Sequence, residues 1–453
     1  MNYYRKFIEA SEQKAFDTVH RNKLKFNILQ YQNAFQRGLN NYENLDLAKE
    51  FISQTKTNSV HNIKELLITF ERQIASRGTH VLWAFDKNEA LSEIKKILLK
   101  NQVKMVVKSK SMISEELDLN HYLNNLGIEP VETDLGEFIV QLEDEPPYHI
   151  LTPAMHKSKE DVAKLFHEKF GTPIDETPQN LTAFTRKKLR QKYVSAGAGI
   201  TGANFLVADV GAVALTENEG NGIMSVAFPN VHIVIAGIEK VIPSLTQLGK
   251  IWPVLSQFGT GQQLTVYNSI FTGPRKNGEI DGPEHLYVIL LDNGRSKLYQ
   301  TQPQSKALQC IRCGACLNAC PIYKNVGGHA YNTPYTGPIG SVITPIFREE
   351  NFFHMADACS LCGKCTEICP AKIPLHELLL HNRNLSVQRK NHNMWNLIIN
   401  LFRFFASKQN KLDMFSGRLK NTIFKIGKNI WGKHRDLPVF SKQTFSNYWK
   451  HLD

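Results

Sequence analysis

All eight cysteines of this 453-residue chain lie between residues 310 and 369, where they form two copies of one motif. The copies are Cys310, Cys313, Cys316 and Cys320, followed by Pro321, and Cys359, Cys362, Cys365 and Cys369, followed by Pro370. Each copy reads C-x2-C-x2-C-x3-C-P, the spacing with which bacterial ferredoxins hold [4Fe–4S] clusters. Because three thiolates on one short loop can face three corners of a cubane, the spacing predicts two clusters.

The fourth cysteine of each motif follows a longer gap and precedes a proline. In the two-cluster pattern this residue ligates the cluster of the other motif. We therefore expect two crossed ligand sets, one of Cys310, Cys313, Cys316 and Cys369 and one of Cys359, Cys362, Cys365 and Cys320. Eight thiolate ligands leave no iron open to a substrate, so the predicted role is electron transfer, with a structural role as the alternative.

Two other uses of eight cysteines fit the sequence poorly. Disulfide scaffolds are small secreted domains, whereas the first 309 residues of this chain contain no cysteine. Zinc sites need only two cysteine pairs for each ion, which does not account for two copies of a longer motif. The cysteines therefore predict an iron–sulfur protein.

The rest of the sequence indicates a cytoplasmic protein. Residues 1–6 are followed by polar helix-forming residues, without the apolar stretch of a secretory signal. No run approaches the ~18 consecutive apolar residues that a transmembrane helix requires. Unpaired cysteines at cluster spacing are typical of a reducing compartment.

Positive charge is concentrated at the C-terminal end of the chain. Residues 371–453 hold fifteen Lys or Arg and four Asp or Glu, which accounts for +11 of the formal net charge of +12. We expect a basic helical tail at 391–453 and no nucleic-acid partner, because no recognition motif accompanies the charge. Its apolar segment 394–405 is too short to span a membrane, and it predicts peripheral membrane contact, a partner contact or packing on the cysteine-rich module.

Apolar runs that alternate with helical segments predict an α/β fold for residues 1–300, after an opening amphipathic helix that ends near Arg37. Strands are expected at 81–84, 105–107, 232–236 and 286–291, with helices at 87–100 and 160–170 between them. The second helix begins at the capping box Ser158-x-x-Asp161 and ends at Gly171. Such alternation favours a largely parallel sheet with helices on both faces.

Two neighbouring segments depart from this alternation. Residues 204–215 hold two β-rich runs that meet at Asp209-Val210-Gly211, which predicts a hairpin. Residues 197–202 match G-x-G-x-x-G, the dinucleotide-binding pattern, which needs a strand before it and a helix after it. Here a helical stretch precedes and strand-like residues follow, so we reject NAD binding at this motif and expect its glycines to permit a close approach of the backbone.

Polar residues gather where predicted strands and their turns end, and in open α/β sheets such positions line the ligand crevice. The candidate pocket residues are Asp134, Glu137, Asn204, Glu217, Asn218 and Glu239. For each residue taken alone, a capping or turn role is the alternative. Together they predict a pocket of unassigned chemistry.

At these same residues the chain resembles the lactate utilization protein B family. The matching segments are 108–116 (KSKSMISEE), 132–137 (ETDLGE), 199–204 (GITGAN), 218–221 (NEGN), 237–240 (GIEK) and 337–340 (GPIG) between the cysteine motifs. The resemblance covers nearly the whole chain and is loosest after about Lys390.

The resemblance implies a CoA-transferase/ribose-phosphate-isomerase-like α/β domain at 1–300, an α-helical ferredoxin-type domain at 301–390 and the tail at 391–453. It also implies a cytoplasmic three-subunit system that oxidises L-lactate to pyruvate, in which a second iron–sulfur protein and a cluster-free relative are the partners. The 38 residues between Cys320 and Cys359 also favour the helical type, because they make a long connection for a compact β-type ferredoxin.

The catalytic residues stay unassigned by the resemblance. Lactate oxidation removes two electrons and two protons, which a cubane cannot accept in one step, so a flavin or another two-electron site is required. The sequence shows no flavin fingerprint, and we expect that site in a partner. The chain is therefore expected to be a subunit of an oxidoreductase complex rather than a self-sufficient enzyme. An adaptor for another 2-hydroxy acid, such as glycolate, and a redox-responsive nucleic-acid-binding regulator are the alternatives.

Overall fold

The structure is a computed structural model that describes residues 3–348, 352–389, 393–426, 428 and 435–450. Its internal contacts divide the chain into two units, Met1–Leu385 and Ser386–Asp453. The first unit contains both the predicted α/β part of the chain and the two cysteine motifs. These two parts therefore pack together rather than forming separate bodies.

Four helices precede the first strand: α1 Tyr3–Phe16, α2 Thr18–Leu39, α3 Leu45–His61 and α4 Ile63–Ala75. The prediction of one opening helix to about Arg37 is wrong, because the helix is interrupted at Asp17. The Asp17 carboxylate accepts a hydrogen bond of 2.9 Å from the backbone N–H of His20. Asp is among the residues preferred at helix N-caps, because its side chain satisfies a donor that the new helix leaves free.

A parallel sheet forms the centre of the α/β part. The strands in the described residues are β1 His80–Ala84, β2 Met105–Lys108, β3 Glu129–Glu132, β4 Ala198–Thr201, β5 Phe205–Val207, β6 Ala212–Glu217, β7 Val231–Gly237, β8 Val241–Ile242, β9 Tyr267–Phe271 and β10 His285–Leu291. The first sheet has the order β1-β10-β7-β4-β2-β3, and all its pairs are parallel. The predicted α/β fold is confirmed, and the four predicted strands are β1, β2, β7 and β10.

A second sheet, of order β8-β5-β6-β9, packs beside the first and was not predicted as a sheet. Its β5 and β6 are antiparallel, with Phe205 opposite Ala214, so the predicted hairpin is confirmed. The partner strands β8 and β9, at 241–242 and 267–271, lie 30 to 62 residues along the chain from the hairpin turn at 209–211. Pairing at such separation depends on the tertiary fold and leaves no local signal.

Nine further helices belong to the α/β part: α5 Lys87–Lys100, α6 Met112–Glu116, α7 Leu119–Asn125, α8 Leu135–Leu142, α9 Lys159–Phe170, α10 Pro178–Ser195, α11 Asn221–Ala227, α12 Leu245–Thr260 and α13 Arg295–Gln300 within the described residues. The helix predicted at 87–100 is α5. Helix α9 has the predicted capping box at Ser158 and ends at Gly171, which is left-handed (φ 70°). A side chain at such a φ would be strained, which is why glycine ends the helix.

Both faces of the parallel sheet are buried. Ile233 and Ile235 of β7 belong to a core with α5, α6 and α7. The alternate residues Val234 and Ala236 belong to a second core with α4 and with β5 and β6 of the second sheet. One face is thus covered by helices as predicted, and the other partly by the second sheet.

The glycines of the G-x-G-x-x-G match lie in and beside β4, between α10 and β5. The order is helix, strand, strand, so the helix that a dinucleotide site requires does not follow the motif. A Cβ atom on Gly199 would lie 1.7 Å from the carbonyl oxygen of Ser225, and one on Gly202 would lie 2.5 Å from Ser111 Oγ. The glycines therefore permit close packing of α11 and of the segment before α6 against β4.

The cysteine-rich module is helical. It contains α14 Ala315–Ala319, α15 Tyr323–Val326, α16 Gly337–Phe347, α17 His354–Asp357, α18 Lys364–Ile368 and α19 Leu375–Arg389, with 3₁₀ turns at Gln304–Gln309 and His329–Tyr331. No strand occurs in the described residues between 302 and 389. The prediction of a helical ferredoxin-type domain is confirmed.

The C-terminal unit is also helical, with α20 Asn393–Ala406, α21 Gln409–Leu412, α22 Gly417–Ile426 and α23 Phe445–Trp449 in its described part. The predicted apolar segment 394–405 lies in α20, where Leu397, Leu401 and Phe402 are exposed. Over the part of the chain that the structure describes, we find no helix with the length and apolar character that crossing a bilayer requires.

A buried ion-pair network joins the α/β part to the cysteine-rich module. Arg295 donates two parallel hydrogen bonds of 2.9 Å to the Glu116 carboxylate and one of 2.6 Å to Glu239 Oε2. From the module, Tyr335 donates a 2.6 Å hydrogen bond to Glu116 and Arg312 lies 3.4 Å from Glu239. Burial opposes ionisation of Glu239, but the charges of Arg295 and Arg312 lower its pKa to about 2. Both carboxylates are therefore ionised, and each contacts both parts of the unit.

The close packing at Gly199 gives a first prediction. We expect Gly199→Ala to lower the free energy of unfolding by about 3 kcal/mol, because backbone must move to admit the methyl group. Gly249 of α12 is the matched control, since a Cβ atom there meets nothing within 4 Å. Gly249→Ala should raise stability by about 0.5–1 kcal/mol through helix propensity. Chemical denaturation of both variants measures the difference, and equal stabilities would contradict the close approach.

The ion-pair network gives a second prediction. Arg295→Leu should destabilise the protein by about 3–5 kcal/mol, because buried Glu116 loses its cation and Glu239 keeps only the more distant Arg312. Tyr335→Phe, the control, removes one hydrogen bond and should cost about 1 kcal/mol.

The pH dependence of this deficit follows from the sign of the pKa shift. The pKa of Glu239 lies below its ordinary value, so its stabilising contribution is present at neutral pH and is lost as the pH falls toward 2. Protonation relieves the unpaired carboxylates of the variant, so the difference between variant and wild type should shrink on acidification. Thermal unfolding of Arg295→Leu and wild type between pH 7 and pH 4 measures this difference in stability. If the difference does not change with pH, the destabilisation comes mainly from lost packing rather than from unpaired charge.

Candidate functional site

One set of thiols surrounds a small void inside the module. Cys310, Cys313, Cys316 and Cys369 line this void of about 30 Å³ together with apolar residues that include Ile311, Leu317, Ile339 and Leu375. Burial and the charge of Cys310 raise the pKa of the Cys369 thiol to about 11. The fourth cysteine of the second motif thus lies beside the first three of the first motif. These are the residues of the first predicted crossed set.

The other four thiols form a second set nearer the surface. Burial and the charges of Cys320, Cys359 and Cys362 raise the pKa of the Cys365 thiol to about 12. Cys365 is buried, Cys320 and Cys359 are half-buried, and Cys362 is exposed. The second predicted crossed set is therefore also close in space, with one edge open to solvent.

The two cysteine loops have the same backbone conformation. Arg312 and Leu361, each just before the second cysteine, have φ of 62° and 56°, and Gly314 and Gly363 have φ of 74° and 77°. The backbone N–H of Arg312 donates to Cys310 Sγ at 3.4 Å, and that of Leu361 donates to Cys359 Sγ at 3.3 Å. Such turns fold three thiols toward one point and supply a donor to sulfur.

These thiol sets fit iron–sulfur clusters by their chemistry. Burial raises the pKa of Cys313 and Cys316, so the protein alone does not hold them as thiolates. Bound iron supplies the positive charge that a group of buried thiolates requires. In the described structure Arg312 Nη1 is also buried without a hydrogen-bond partner, and Arg312 lines the void. The positive charge of Arg312 beside the void would attract a negatively charged cluster.

A cavity of about 360 Å³ adjoins the first thiol set at the carboxyl edge of the parallel sheet. Five of the six predicted pocket residues line it: Asp134, Asn204, Glu217, Asn218 and Glu239. The carboxyl edge is where open α/β sheets place their ligands. The cavity shares Arg312 and Ile150 with the void between the thiols.

Two of the pocket carboxylates also have the capping roles that were the alternative. Asp134 accepts from the backbone N–H of Glu137 at the start of α8. Glu217 accepts from the N–H groups of Gly222 and Ile223 at 2.6 and 2.8 Å, at the start of α11. Their orientation is thus set by the backbone, while both still line the cavity.

Glu137 is not among the residues that line the cavity. It is 1% exposed within α8, and neither carboxylate oxygen has a hydrogen-bond partner among the described residues. Burial and the neighbouring charge of Glu132 raise its pKa well above the ordinary value. Glu137 is therefore held in its neutral form, close to the buried pair of Lys108 and Glu132.

Positive charge gathers where the cavity meets the first thiol set. Lys240, Arg295 and Arg312, which we call the cationic end, line the cavity together with Glu239. Burial lowers the pKa of Lys240 to about 8, and the charge of Glu239 counteracts this shift. The nearby buried Lys56 donates a 2.7 Å hydrogen bond to the Glu239 carbonyl oxygen.

A second group of charges lines the cavity around Asp134. Lys110 Nζ lies 3.0 Å from Asp134 Oδ2 and also donates to the carbonyl oxygen of Leu151. Burial raises the pKa of Glu217, and burial with the charge of Asp134 raises that of Glu219. This part of the cavity offers carboxylates that can accept protons, whereas the cationic end offers donors.

The six predicted pocket residues include none of the cations of this site. Lys110 and Lys240 lie within or beside the segments 108–116 and 237–240, and each follows a predicted strand as Glu239 does. Their position after a strand was the available signal. Arg312 had none, because a residue between two cluster ligands carries no mark of an adjoining cavity.

Both parts of the first unit match known domain families. The LUD domain family matches residues 67–291, and the 4Fe-4S dicluster domain family matches residues 306–373. A solved structure of a DUF162 family protein from Deinococcus radiodurans covers 51% of this chain and 98% of its own, at 14% identity and a TM-score of 0.30. That likeness is too weak to support any argument.

Similarity to curated sequences extends over most of the chain. Lactate utilization protein B of Bacillus pumilus is 38% identical over 89% of this chain and 88% of its own length. The protein of the same name from Oceanobacillus iheyensis is 39% identical over 88% of this chain and 86% of its own. That from a Geobacillus species is 42% identical over 78% and 74%. The chain belongs to the lactate utilization protein B family.

Proposed function

We propose that the chain is the iron–sulfur electron-transfer subunit of a multi-subunit system that oxidises L-lactate to pyruvate. The observation that carries the proposal is the grouping of eight thiols into two sets of four, one beside a cavity and one at the surface. The relatives named for lactate utilization support the choice of substrate.

Each thiol set is proposed to hold one [4Fe–4S] cluster, the first on Cys310, Cys313, Cys316 and Cys369 and the second on Cys359, Cys362, Cys365 and Cys320. When bound, such clusters supply one-electron transfer and no site for substrate. The grouping of Cys369 with the first motif supports this crossed assignment.

The protein surrounds the two sets differently. The charges of Lys56, Lys240 and Arg312 all interact with the thiolate of Cys310. Nearby positive charge and N–H donors to sulfur favour the reduced state of a cluster. In the second loop Leu361 takes the place of Arg312 and is 36% exposed. The first set is therefore the better electron acceptor, and the second is the one that a partner can approach.

The two-electron step of lactate oxidation belongs, in this proposal, to a partner subunit. All eight cysteines are assigned to clusters, and one-electron centres cannot accept a hydride equivalent in one step. A second iron–sulfur protein and a cluster-free relative are the proposed partners, in the cytoplasm.

The crossed assignment is tested by replacing the fourth cysteine of each motif with serine, in two separate variants. Cys320→Ser should disturb the cluster whose other ligands are Cys359, Cys362 and Cys365, because serine is a poor substitute for a thiolate at iron. Cys369→Ser is the matched control and should disturb the other cluster. EPR spectra of the chemically reduced variants, with iron content, report which signal changes. The assignment is wrong if Cys320→Ser changes the same signal as Cys313→Ser.

The division of labour is tested by reconstitution. The purified chain, with its clusters intact, should not be reduced by L-lactate, although dithionite reduces it. Addition of the two partner subunits should restore lactate-dependent bleaching of cluster absorbance, with glycolate as the comparison substrate. Turnover of L-lactate by the single chain without added flavin would place the catalytic site here and overturn the proposal.

A further inference from the structure

We infer that the cationic end of the cavity is a binding subsite for an organic carboxylate, in which Lys240 and Arg312 hold the anion beside the first thiol set. The identity of that carboxylate, a 2-hydroxy or 2-oxo acid, rests on the proposed function. The existence of the subsite rests on the side chains themselves.

Unused donors mark this end of the cavity. Within the described residues no acceptor lies at hydrogen-bond distance from Lys240 Nζ, although the residue lines the cavity. Arg312 is 10% exposed, and of its guanidinium nitrogens Nη2 contacts Glu239 at 3.4 Å while Nη1 has no partner among those residues. Arg295, in contrast, uses Nε, Nη1 and Nη2 in bonds to Glu116 and Glu239.

The side-chain charges around this end do not balance. Lys56, Lys240, Arg295 and Arg312 are set against two carboxylates, those of Glu116 and Glu239, so positive charge is in excess. A [4Fe–4S] cluster with four thiolates, of net charge about −2 when oxidised, offsets this excess overall, but it leaves Lys240 Nζ without a hydrogen-bond acceptor among the described residues. Buried cations are costly unless they are paired, and an anion in the cavity would pair Lys240.

A carboxylate matches these donors better than a neutral ligand does. Arginine and lysine donors form charge-assisted hydrogen bonds to carboxylate oxygens, which are about twice as strong as neutral ones. Ile113, Ile150 and Leu255 line the same cavity and would contact a short hydrocarbon chain. The volume of about 360 Å³ exceeds the need of a three-carbon acid, so the anion would occupy the cationic end alone.

Position couples the subsite to the first thiol set. Arg312 lines both the cavity and the void between Cys310, Cys313, Cys316 and Cys369. An anion on Arg312 opposes the addition of negative charge to that set. By linkage, a ligand that makes reduction harder is bound less tightly once reduction has occurred. Occupancy of the subsite should therefore lower the reduction potential of the first cluster and leave the second unchanged.

Binding is measured by anaerobic calorimetry on the cluster-loaded chain, with L-lactate and pyruvate as probes and neutral L-lactamide as the matched ligand. We expect both acids to bind and the amide to bind at least tenfold more weakly. Lys240→Gln and Arg312→Leu should each weaken acid binding about tenfold to a hundredfold, the loss of a charge-assisted bond. Lys306→Gln is the control variant, since Lys306 is exposed and lines neither the cavity nor the void.

A redox titration followed by EPR gives the second measurement. Saturating pyruvate should lower the potential of the cluster that Cys369→Ser disturbs, with the other cluster as internal reference. If Arg312→Leu loses iron, the affinity of Lys240→Gln for the acids is the deciding measurement, because Lys240 lies outside the loop that carries the cluster ligands. Equal affinity for acid and amide, unchanged affinity in Lys240→Gln, or equal shifts of both potentials would overturn the inference. Acid binding in a chain whose complex fails to oxidise lactate would keep the subsite and reject the proposed function.

Discussion

The bidentate pairing of Arg295 with Glu116, closed on its other side by Glu239, holds the α/β part and the cysteine-rich module in register. All three side chains are less than a tenth exposed, so removal of one partner leaves a buried charge with too few partners. Tyr335 and Arg312 of the module reach the same two carboxylates. The network thus ties the position of the first cysteine loop to the ends of the sheet strands, and Arg312 and Tyr335 of the module line the cavity beside residues of the α/β part.

The two cysteine loops have the same backbone conformation but lie in different environments, the first buried and the second at the surface. The positive φ values and the N–H bonds to sulfur recur in both, because they are what folds three thiols toward one point. The residue before the second cysteine differs between the loops: it is Arg312 in the buried loop and Leu361 in the exposed one. A charged side chain in the second loop would meet solvent and be screened, whereas Arg312 acts in a buried site where its charge is felt strongly. This one side-chain difference therefore adds to the asymmetry that the deeper burial of the first set and the charges of Lys56 and Lys240 produce.

Local signals in the sequence predicted what is local in the structure. The strand at 285–291 is an apolar run after His285 because it lies inside the sheet with both faces buried, whereas β1 at 80–84 lies at the sheet edge and buries only Ala84. The capping box at Ser158 and the glycine at 171 mark the ends of α9 by local signals, and Lys23 of α2 adds a tertiary contact to Asp161. The break at Asp17 was also readable, since an aspartate before a helical run is an N-cap signal, but an amphipathic pattern that continues past it concealed the interruption.

The cationic end of the cavity could not be predicted in this way, because it is assembled from distant parts of the chain. Glu239 and Arg312 meet across 73 residues, and Glu116 and Arg295 across 179. In the sequence each is an ordinary polar residue near a strand end or a turn. Charges in a buried site must pair with opposite charges, and the two carboxylates here, Glu116 and Glu239, are already bonded to Arg295. Lys240 and Arg312 are distinguished by the hydrogen-bond donors that this pairing leaves unused. Removal of Glu239 would therefore free Arg312, leave Arg295 bonded to Glu116 and raise the positive charge beside Cys310, whereas removal of Lys240 would lower it without touching the network. The pairing of Arg295 is a structural requirement, and the charge left over on Lys240 is what remains available for a ligand.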